Sequence, residues 1–298
     1  MVTATSVSGR RIQGTSTRHA VREGARRLQA LGVAHARYEA EWLLGRLVGQ
    51  KPLEVYLDDA PLSPETMERF FSQIQARAAG APLQYLLGEA EFFGRLFLVR
   101  PGVFIPRPET ETVVETALQA LKRRQAMVGR PLRLLDLGTG SGCIAVTLAS
   151  ELPACVVVGV ELSWVALSTA RQNVLRHGLA SRVHLVQGRW AEPLQGRFDG
   201  IVSNPPYVPS AQVDHLPLDV RQEPRLSLDG GASGMQDLVR LMADAPQAVE
   251  PGGILALECG EEQVRPLLRM ASETPWAAAA VALQDLAGRP RGVIVTAA

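Results

Sequence analysis

Leu132-Arg133-Leu134-Leu135-Asp136-Leu137-Gly138-Thr139-Gly140-Ser141-Gly142 decides the fold of this chain. A short, mostly apolar run reads as a buried strand, breaks into three alternating glycines, and continues over 144–150 as a helix. Glycines after a strand let the backbone approach a ligand closely and open a helix whose first amides face it. Glycine at such a turn is often only steric, so the residues further along decide what the loop means.

Downstream the alternation holds. A second strand is predicted over 156–160, ending at Glu161, and a helix over 163–177 with Leu167, Ala170 and Val174 inward. A third strand, 183–186, precedes Gly188-Arg189-Trp190, and a fourth spans 198–203. After a polar, proline-rich loop over 208–234 come a helix over 235–249, the turn Pro251-Gly252-Gly253 and a fifth strand, 254–258. Two last strands, 277–283 and 293–296, joined by Gly288-Arg289-Pro290-Arg291, add an antiparallel edge. Strands alternating with helices define a doubly wound α/β fold, here a mostly parallel seven-stranded sheet, with sites at the strands' C-terminal ends.

The fourth strand ends in Asn204-Pro205-Pro206-Tyr207. Two consecutive prolines cannot donate to a ladder and hold φ near −65°, so the strand must stop. The rigid turn presents the amide of Asn204, free backbone carbonyls and the ring of Tyr207. Such a pocket suits a planar group bearing an NH2: the Asn204 oxygen and the Pro205 carbonyl each accept one hydrogen, and Tyr207 packs on the plane. An Asn-Pro pair alone is more simply a proline-terminated strand with a polar turn. The tetrapeptide gains weight from what lies upstream. Glu161 sits where an acid can accept from both hydroxyls of a ribose. A dinucleotide site uses the same two devices, but the glycines here read GxGxG rather than GxGxxG, and such a site has no need of Asn-Pro-Pro-Tyr. Loop, acid and tetrapeptide together point to S-adenosylmethionine. Trp190 reads evenly as a wall for its adenine and as a core or surface tryptophan.

The N-terminal part is different in kind. Val21, Ala25, Leu28 and Leu31 recur at helical spacing up to Gly32; a second helix over 37–48 ends at Gly49; a third over 65–79 follows Ser63-Pro64 and closes at Gly80. A β-hairpin is expected from Phe92-Phe93-Gly94-Arg95-Leu96-Phe97-Leu98-Val99 and Val103-Phe104-Ile105, turning at Arg100-Pro101-Gly102. Pro106-Arg107-Pro108-Glu109-Thr110-Glu111 then opens a helix whose buried face is Val113, Val114, Ala117, Leu118 and Leu121, with Glu109 and Glu111 as first-turn acids. The resulting division is a helical, substrate-recognition domain over 1–90, a hairpin linker over 91–106 and a catalytic domain over 107–298. Residues 1–30 are rich in Arg, Ser and Thr with Glu23 the sole acid, and read as a ragged leader, with a transit signal as the alternative.

A net charge of +1 argues against a protein that lives on nucleic-acid phosphates. Cys143, Cys155 and Cys259 have neither metal nor redox spacing, and the five histidines are scattered, so no metal site is expected. No run reaches transmembrane length, and a cytoplasmic monomer is the expected state.

The residues carry a family resemblance from about position 82 onward. The blocks are Pro82-Leu83-Gln84-Tyr85-Leu86-Leu87-Gly88, Pro101 to Glu111, Asp136 to Gly142, Asn204-Pro205-Pro206-Tyr207, Glu223-Pro224-Arg225, Asp229-Gly230-Gly231, Leu257-Glu258-Cys259-Gly260 and Asp285-Leu286-Ala287-Gly288. The chain resembles the HemK/PrmC family of protein-(glutamine-N5) methyltransferases, which act on class I peptide-chain release factors. The resemblance implies a Rossmann-like class I methyltransferase fold. It also implies that Gly138, Thr139, Gly140, Ser141, Gly142, Glu161, Trp190 and Asn204 hold S-adenosyl-L-methionine. Asn204, Pro205, Pro206 and Tyr207 would hold the glutamine of a Gly-Gly-Gln motif, with Asn204, Pro205 and Tyr207 catalytic. Two positions depart from the family pattern: Glu161 stands where Asp is usual, and Arg189 where the family has the acid of Gly-Asp-Trp. An adenine-N6 methyltransferase, a glutamine methyltransferase for a ribosomal protein and a non-catalytic binding module are the competing readings.

Overall fold

The computed structural model describes residues 16–57, 59–285 and 287–298. Residues 1–15 of the expected leader, and Leu286 of the last family block, lie outside the described residues, while 17–30 are not a ragged leader but a helix with Ala20, Val21 and Leu28 buried. The chain divides into two compact units, 1–87 and 88–298.

The first unit is helical: α1 (Thr17–Ala30), α2 (Ala36–Val48), α3 (Glu54–Leu57), α4 (Pro64–Ala78) and α5 (Leu83–Leu87). Ser16 and Ser63 cap α1 and α4 by accepting from the amides of His19 and Thr66, and Pro64 takes the first turn of α4. Gly32, Gly49 and Gly80, the expected stops, all have positive φ. Ala20, Val21, Leu28, Leu43, Leu44, Phe70 and Ile74 form the core.

The second unit opens on a two-stranded hairpin, β1 (Glu89–Phe92) and β2 (Arg95–Leu98), and then α6 (Pro108–Val128). The turn is at Phe93-Gly94, not at Arg100-Pro101-Gly102, and Val103-Phe104-Ile105 is no strand. A two-residue hairpin turn of this kind needs positive φ twice, and Phe93 (52°) and Gly94 (68°) supply it. Phenylalanine is a poor advertisement for that conformation, which is why the sequence hid it. The turn is held from outside, because the Phe93 amide donates to Glu111 Oε1 at 2.9 Å and Arg95 donates to the Phe93 carbonyl at 3.0 Å. Glu111 is therefore a clamp on the hairpin as well as a first-turn acid.

The sheet is built from β3 (Leu132–Leu137), β4 (Cys155–Glu161), β5 (Val183–Gln187), β6 (Phe198–Ser203), β7 (Val249–Glu258), β8 (Ala277–Gln284) and β9 (Pro290–Ala297), in the order β5-β4-β3-β6-β7-β9-β8. β5 to β7 are mutually parallel, and β9 runs antiparallel to both β7 and the edge strand β8. Between them lie α7 (Cys143–Glu151), α8 (Trp164–Arg176), α9 (Ser210–Val213), α10 (Gln236–Ala248) and α11 (Glu261–Ser272). The turn expected at Pro251-Gly252-Gly253 is absorbed as a bulge, where partners of Phe198 and Gly200 on β7 jump from Val249 to Ile254. Leu134 packs with α6, α7 and α8, while Leu135 packs with α10 and α11, so the period of two along β3 separates two cores on opposite faces.

Chain order reverses between β3 and β6, which makes the end of that pair the topological switch point. Register does the rest. Val160 pairs with Leu137, Leu137 with Ser203 and Ser203 with Leu257. The next residue on each strand therefore falls in one row: Glu161, Gly138, Asn204 and Glu258. Strands are spaced by about 4.8 Å, so Glu161 and Asn204 begin about 10 Å apart on the sheet edge. The Ser203 hydroxyl donates to the Leu137 carbonyl at 2.6 Å and locks the two central strand ends together.

Candidate active site

A cleft of about 270 Å³ opens at that row. Its walls include Gly138, Thr139, Gly140, Ser141, Glu161, Trp190, Asn204 and Pro206, all expected there, and also Phe104, Thr110, Arg189, Leu226 and Asp237. Among the described residues, Gly142, Pro205 and Tyr207 are not part of the wall.

The end beneath β3 and β4 is made largely from backbone. Gly138, Gly140 and Gly142 adopt φ of 73°, 56° and 83°. At Gly142 the demand is packing: a Cβ there would stand 3.2 Å from that of Ala170 on α8. Gly138 lies under Trp190, whose ring a Cβ would meet at 3.6 Å. Asn173 fixes the far side of the loop, donating to the carbonyls of Ser141 (2.8 Å) and Leu98 (3.0 Å). Glu161 accepts the amides of Gly140 at 2.9 Å and Ser163 at 2.8 Å, one on each carboxylate oxygen, and each oxygen keeps a lone pair for a hydroxyl. Asp136 is fully buried and accepts from the Thr139 hydroxyl (2.5 Å) and the Ala145 amide (3.0 Å); burial pushes it up to about 7. Asp136 Oδ1 and Ser141 Oγ are buried without a hydrogen-bond partner among the described residues, and of the two residues only Ser141 lines the cleft.

Trp190 has a positive φ of 51° and is 9% exposed. Its indole N–H donates to Asp237 Oδ1 at 3.2 Å, and Arg189 pairs with the same oxygen at 3.6 Å. Arg189 and Trp190 thus share one anchor at the start of α10, which the sequence did not single out. The tryptophan belongs to a core cluster and walls the cleft at once, so neither half of its reading is discarded.

The end beneath β6 and β7 is made from side chains. Asn204 Nδ2 donates to Thr110 Oγ1 at 3.1 Å, and among the described residues its oxygen takes no bond from the chain. Pro205 is buried. The Tyr207 hydroxyl donates to Glu258 Oε1 at 3.2 Å, and burial together with that carboxylate pushes the phenol well above its ordinary range. Glu258 is 2% exposed, and burial pushes it up to about 7. Thr110 and Glu258 sit inside family blocks quoted above but carried no assigned role; their spacing of 148 positions gives no local signal.

The long loop over 208–234 is structured, by α9 and by short helical turns at Val220–Gln222 and Arg225–Ser227. Glu223, almost wholly buried, accepts the Ile105 amide at 2.9 Å and pairs with Arg107, just before α6. Gln263 donates to the carbonyls of Tyr207 (2.9 Å) and Gly234 (3.1 Å), closing the loop's two ends together. Pro224, Leu226 and Ser227 reach the cleft from this fastened loop.

Among the described residues no cluster of His, Cys, Asp or Glu could hold a metal, the three cysteines are buried and unpaired, and no helix is long and apolar enough to cross a membrane.

Two family models match the chain: PrmC N-terminal domain over 19–88 and Methyltransferase small domain over 96–218. A release factor glutamine methyltransferase of Moorella thermoacetica is 42% identical over 276 residues, covering 92% of this chain and 96% of the relative. One from Geobacter sulfurreducens is 45% identical over 246 residues, covering 82% and 84%. One from Bradyrhizobium diazoefficiens is 40% identical over 287 residues, covering 94% of each. Among solved structures, the hMettl16 catalytic domain in complex with a hairpin aligns with a TM-score of 0.56 at 14% identity, covering 78% of this chain and 82% of that one, a likeness of fold. With near-complete coverage at such identity, the chain belongs to the release factor glutamine methyltransferase family.

Proposed function

We propose that this enzyme transfers a methyl group from S-adenosyl-L-methionine to the side-chain amide nitrogen of the glutamine in the Gly-Gly-Gln motif of class I peptide-chain release factors, in the cytoplasm. One observation carries the substrate half of this reading. Asn204 stands at the strand end with its nitrogen committed to Thr110 and its oxygen, among the described residues, free. That is an acceptor aimed at an N–H.

The cofactor half rests on fit. Gly138 to Ser141 offer a close-approach backbone, Glu161 offers two oxygens to a ribose, and Trp190 offers a ring held by Asp237. When bound, S-adenosylmethionine supplies an already activated methyl group. What the chain must do is aim the nucleophile. An amide nitrogen is a poor one, because its lone pair is delocalised into the carbonyl. Asn204 Oδ1 and the Pro205 carbonyl, each accepting one N–H, hold the NH2 so that its lone pair faces the methyl; near-attack placement at about 3–3.5 Å contributes several kcal/mol. The same two oxygens stabilise positive charge as it grows on nitrogen. No strong base is required, because the nitrogen is acidic once it carries the methyl.

The experiment is transfer of labelled methyl from S-adenosylmethionine to a purified release factor. A twin with Ala at the Gly-Gly-Gln glutamine and an adenine-containing DNA run beside it. Label on the normal factor alone is the expected result; label on the DNA or on the twin overturns the substrate assignment.

A further inference from the structure

We propose that Asp237 recognises the adenine end of the methyl donor by accepting a hydrogen bond from its exocyclic amino group, with Arg189 as its counter-ion, an inference that rests on the S-adenosylmethionine reading of the cleft. Among the described residues that wall the cleft, Glu161 and Asp237 are the only acids and Arg189 the only cation. Glu161 ends β4, is tied to the glycine loop through the Gly140 amide, and is assigned to the ribose. Asp237 is the acid left without an assignment. Beyond its ribose hydroxyls the methyl donor carries N–H groups at two places, the adenine amino group and the ammonium, and either could use a second acceptor.

Helix formation does not explain this carboxylate. Asp237 lies in the first turn of α10, yet among the described residues it accepts from no amide of that helix. Its partners come from the loop after β5: the Trp190 indole N–H at 3.2 Å and the Arg189 guanidinium at 3.6 Å. Both use Oδ1. Asp237 is 9% exposed and lines the cleft, and among the described residues its Oδ2 takes no hydrogen bond. Anchoring an indole N–H needs one oxygen, and a neutral amide would serve. A second, free oxygen on a carboxylate nine-tenths buried is an acceptor without its donor.

Trp190 indicates which donor. Its backbone holds a φ of 51°, a left-handed conformation that costs a non-glycine residue free energy and persists only where the surroundings fix it. Asp237 does so by gripping the indole rim, and Gly138 at the head of the glycine loop lies under the ring. A planar ring held still in a cleft wall packs well against another planar ring. Adenine is the planar part of the methyl donor, and a base laid against the indole brings its own rim toward the group that holds the indole's rim. Arg189 cannot take the part of Asp237, because a guanidinium has five donors and no acceptor. Its charge balances a carboxylate that would otherwise sit unpaired in the wall. The acid usual beside this tryptophan is absent from position 189, and the carboxylate at this end of the cleft comes from α10 instead.

The test is calorimetric affinity of the full-length enzyme for two compounds, S-adenosylhomocysteine and S-inosylhomocysteine, which carries a carbonyl oxygen where adenine has its amino group. Three proteins are compared: wild type, Asp237→Asn and Arg189→Ala. Wild type should prefer the adenine compound by at least about tenfold, since it gains a hydrogen bond to a charged acceptor where the other sets oxygen against oxygen. Asp237→Asn keeps an oxygen for the indole and turns an NH2 to the cleft, so the preference should fall to within about threefold. Arg189→Ala leaves the free oxygen in place and should keep the preference. A wild type indifferent to the exchange overturns the proposal without any variant, which covers an Asp237→Asn that does not fold. Equal loss of both compounds in Asp237→Asn would move the carboxylate to the ammonium and overturn it, and a preference that vanishes with Arg189 would place the recognition at 189 instead. A wild type that binds neither compound overturns the cofactor reading of the cleft and this proposal together.

Discussion

The two ends of the cleft solve the same problem, holding a small polar group still, with different materials. Beneath β3 and β4 the work falls to backbone: the left-handed Gly138 and Gly140, the amides of Gly140 and Ser163, and one carboxylate that ties them. Those parts lie within about 30 positions of one another. Beneath β6 and β7 it falls to side chains from positions 110, 204, 207 and 258, with the loop over 208–234 fastened above by Glu223. A backbone site tolerates exchange of most side chains around it. A side-chain site fails at any single member. The first end should therefore govern affinity, and the second turnover.

The largest effect is expected from unfastening the side-chain end. Glu223→Ala leaves Arg107 and the Ile105 amide without their buried acceptor, and should cost about 3 kcal/mol in thermal or denaturant unfolding. Stability within about 0.5 kcal/mol of wild type would show that the loop is not held there. Next, Asn204→Ala should cut turnover about a hundredfold, in the range seen when one aimed polar group is removed from a catalytic site. Its affinity for S-adenosylmethionine, read by calorimetry, should stay within a few fold.

At the other end, Glu161→Ala should weaken S-adenosylmethionine binding about tenfold, one charge-assisted hydrogen bond's worth. Glu161→Asp, the family's usual acid, should bind within about threefold of wild type. An alanine variant of unchanged affinity would remove Glu161 from the ribose. The smallest effect sharpens the contrast within the glycine loop. Gly142→Ala forces a Cβ toward Ala170 at a φ of 83° and should cost about 1 kcal/mol of stability. Because Gly142 is not part of the cleft wall, the folded variant should bind S-adenosylmethionine normally.

The same contrast governs what could be read from sequence. The doubly wound sheet, the glycine loop, Glu161 and Asn204 were legible because each is signalled locally: an apolar run, alternating glycines, an acid or a proline pair at a strand end. Thr110 and Glu258 were visible as letters within family blocks but not as neighbours of Asn204, because only the register of β6 against β7 sets Glu258 beside it and only a side-chain bond reaches it from Thr110 on α6. The hairpin was misplaced by a stronger local signal. Arg100-Pro101-Gly102 has turn composition, and the Val103 amide does bond back to the Arg100 carbonyl at 3.0 Å. Yet the following segment spends the amide of Ile105 on Glu223 rather than on a ladder. Glu223 could not be foreseen from 118 positions away. Asp237 escaped for a similar reason, since its acid at the start of α10 looks like ordinary helix-dipole compensation.

The measurement that tests the account most directly sets Glu161→Ala and Asn204→Ala side by side, reading S-adenosylmethionine affinity and the single-turnover rate of glutamine methylation at saturating cofactor. The account predicts a crossing. Glu161→Ala should bind weakly and recover most of its rate at saturation, whereas Asn204→Ala should bind normally and stay slow at every cofactor concentration. Two variants that lose affinity and saturated rate in the same proportion would contradict it, because the two ends of the cleft would then act as a single site.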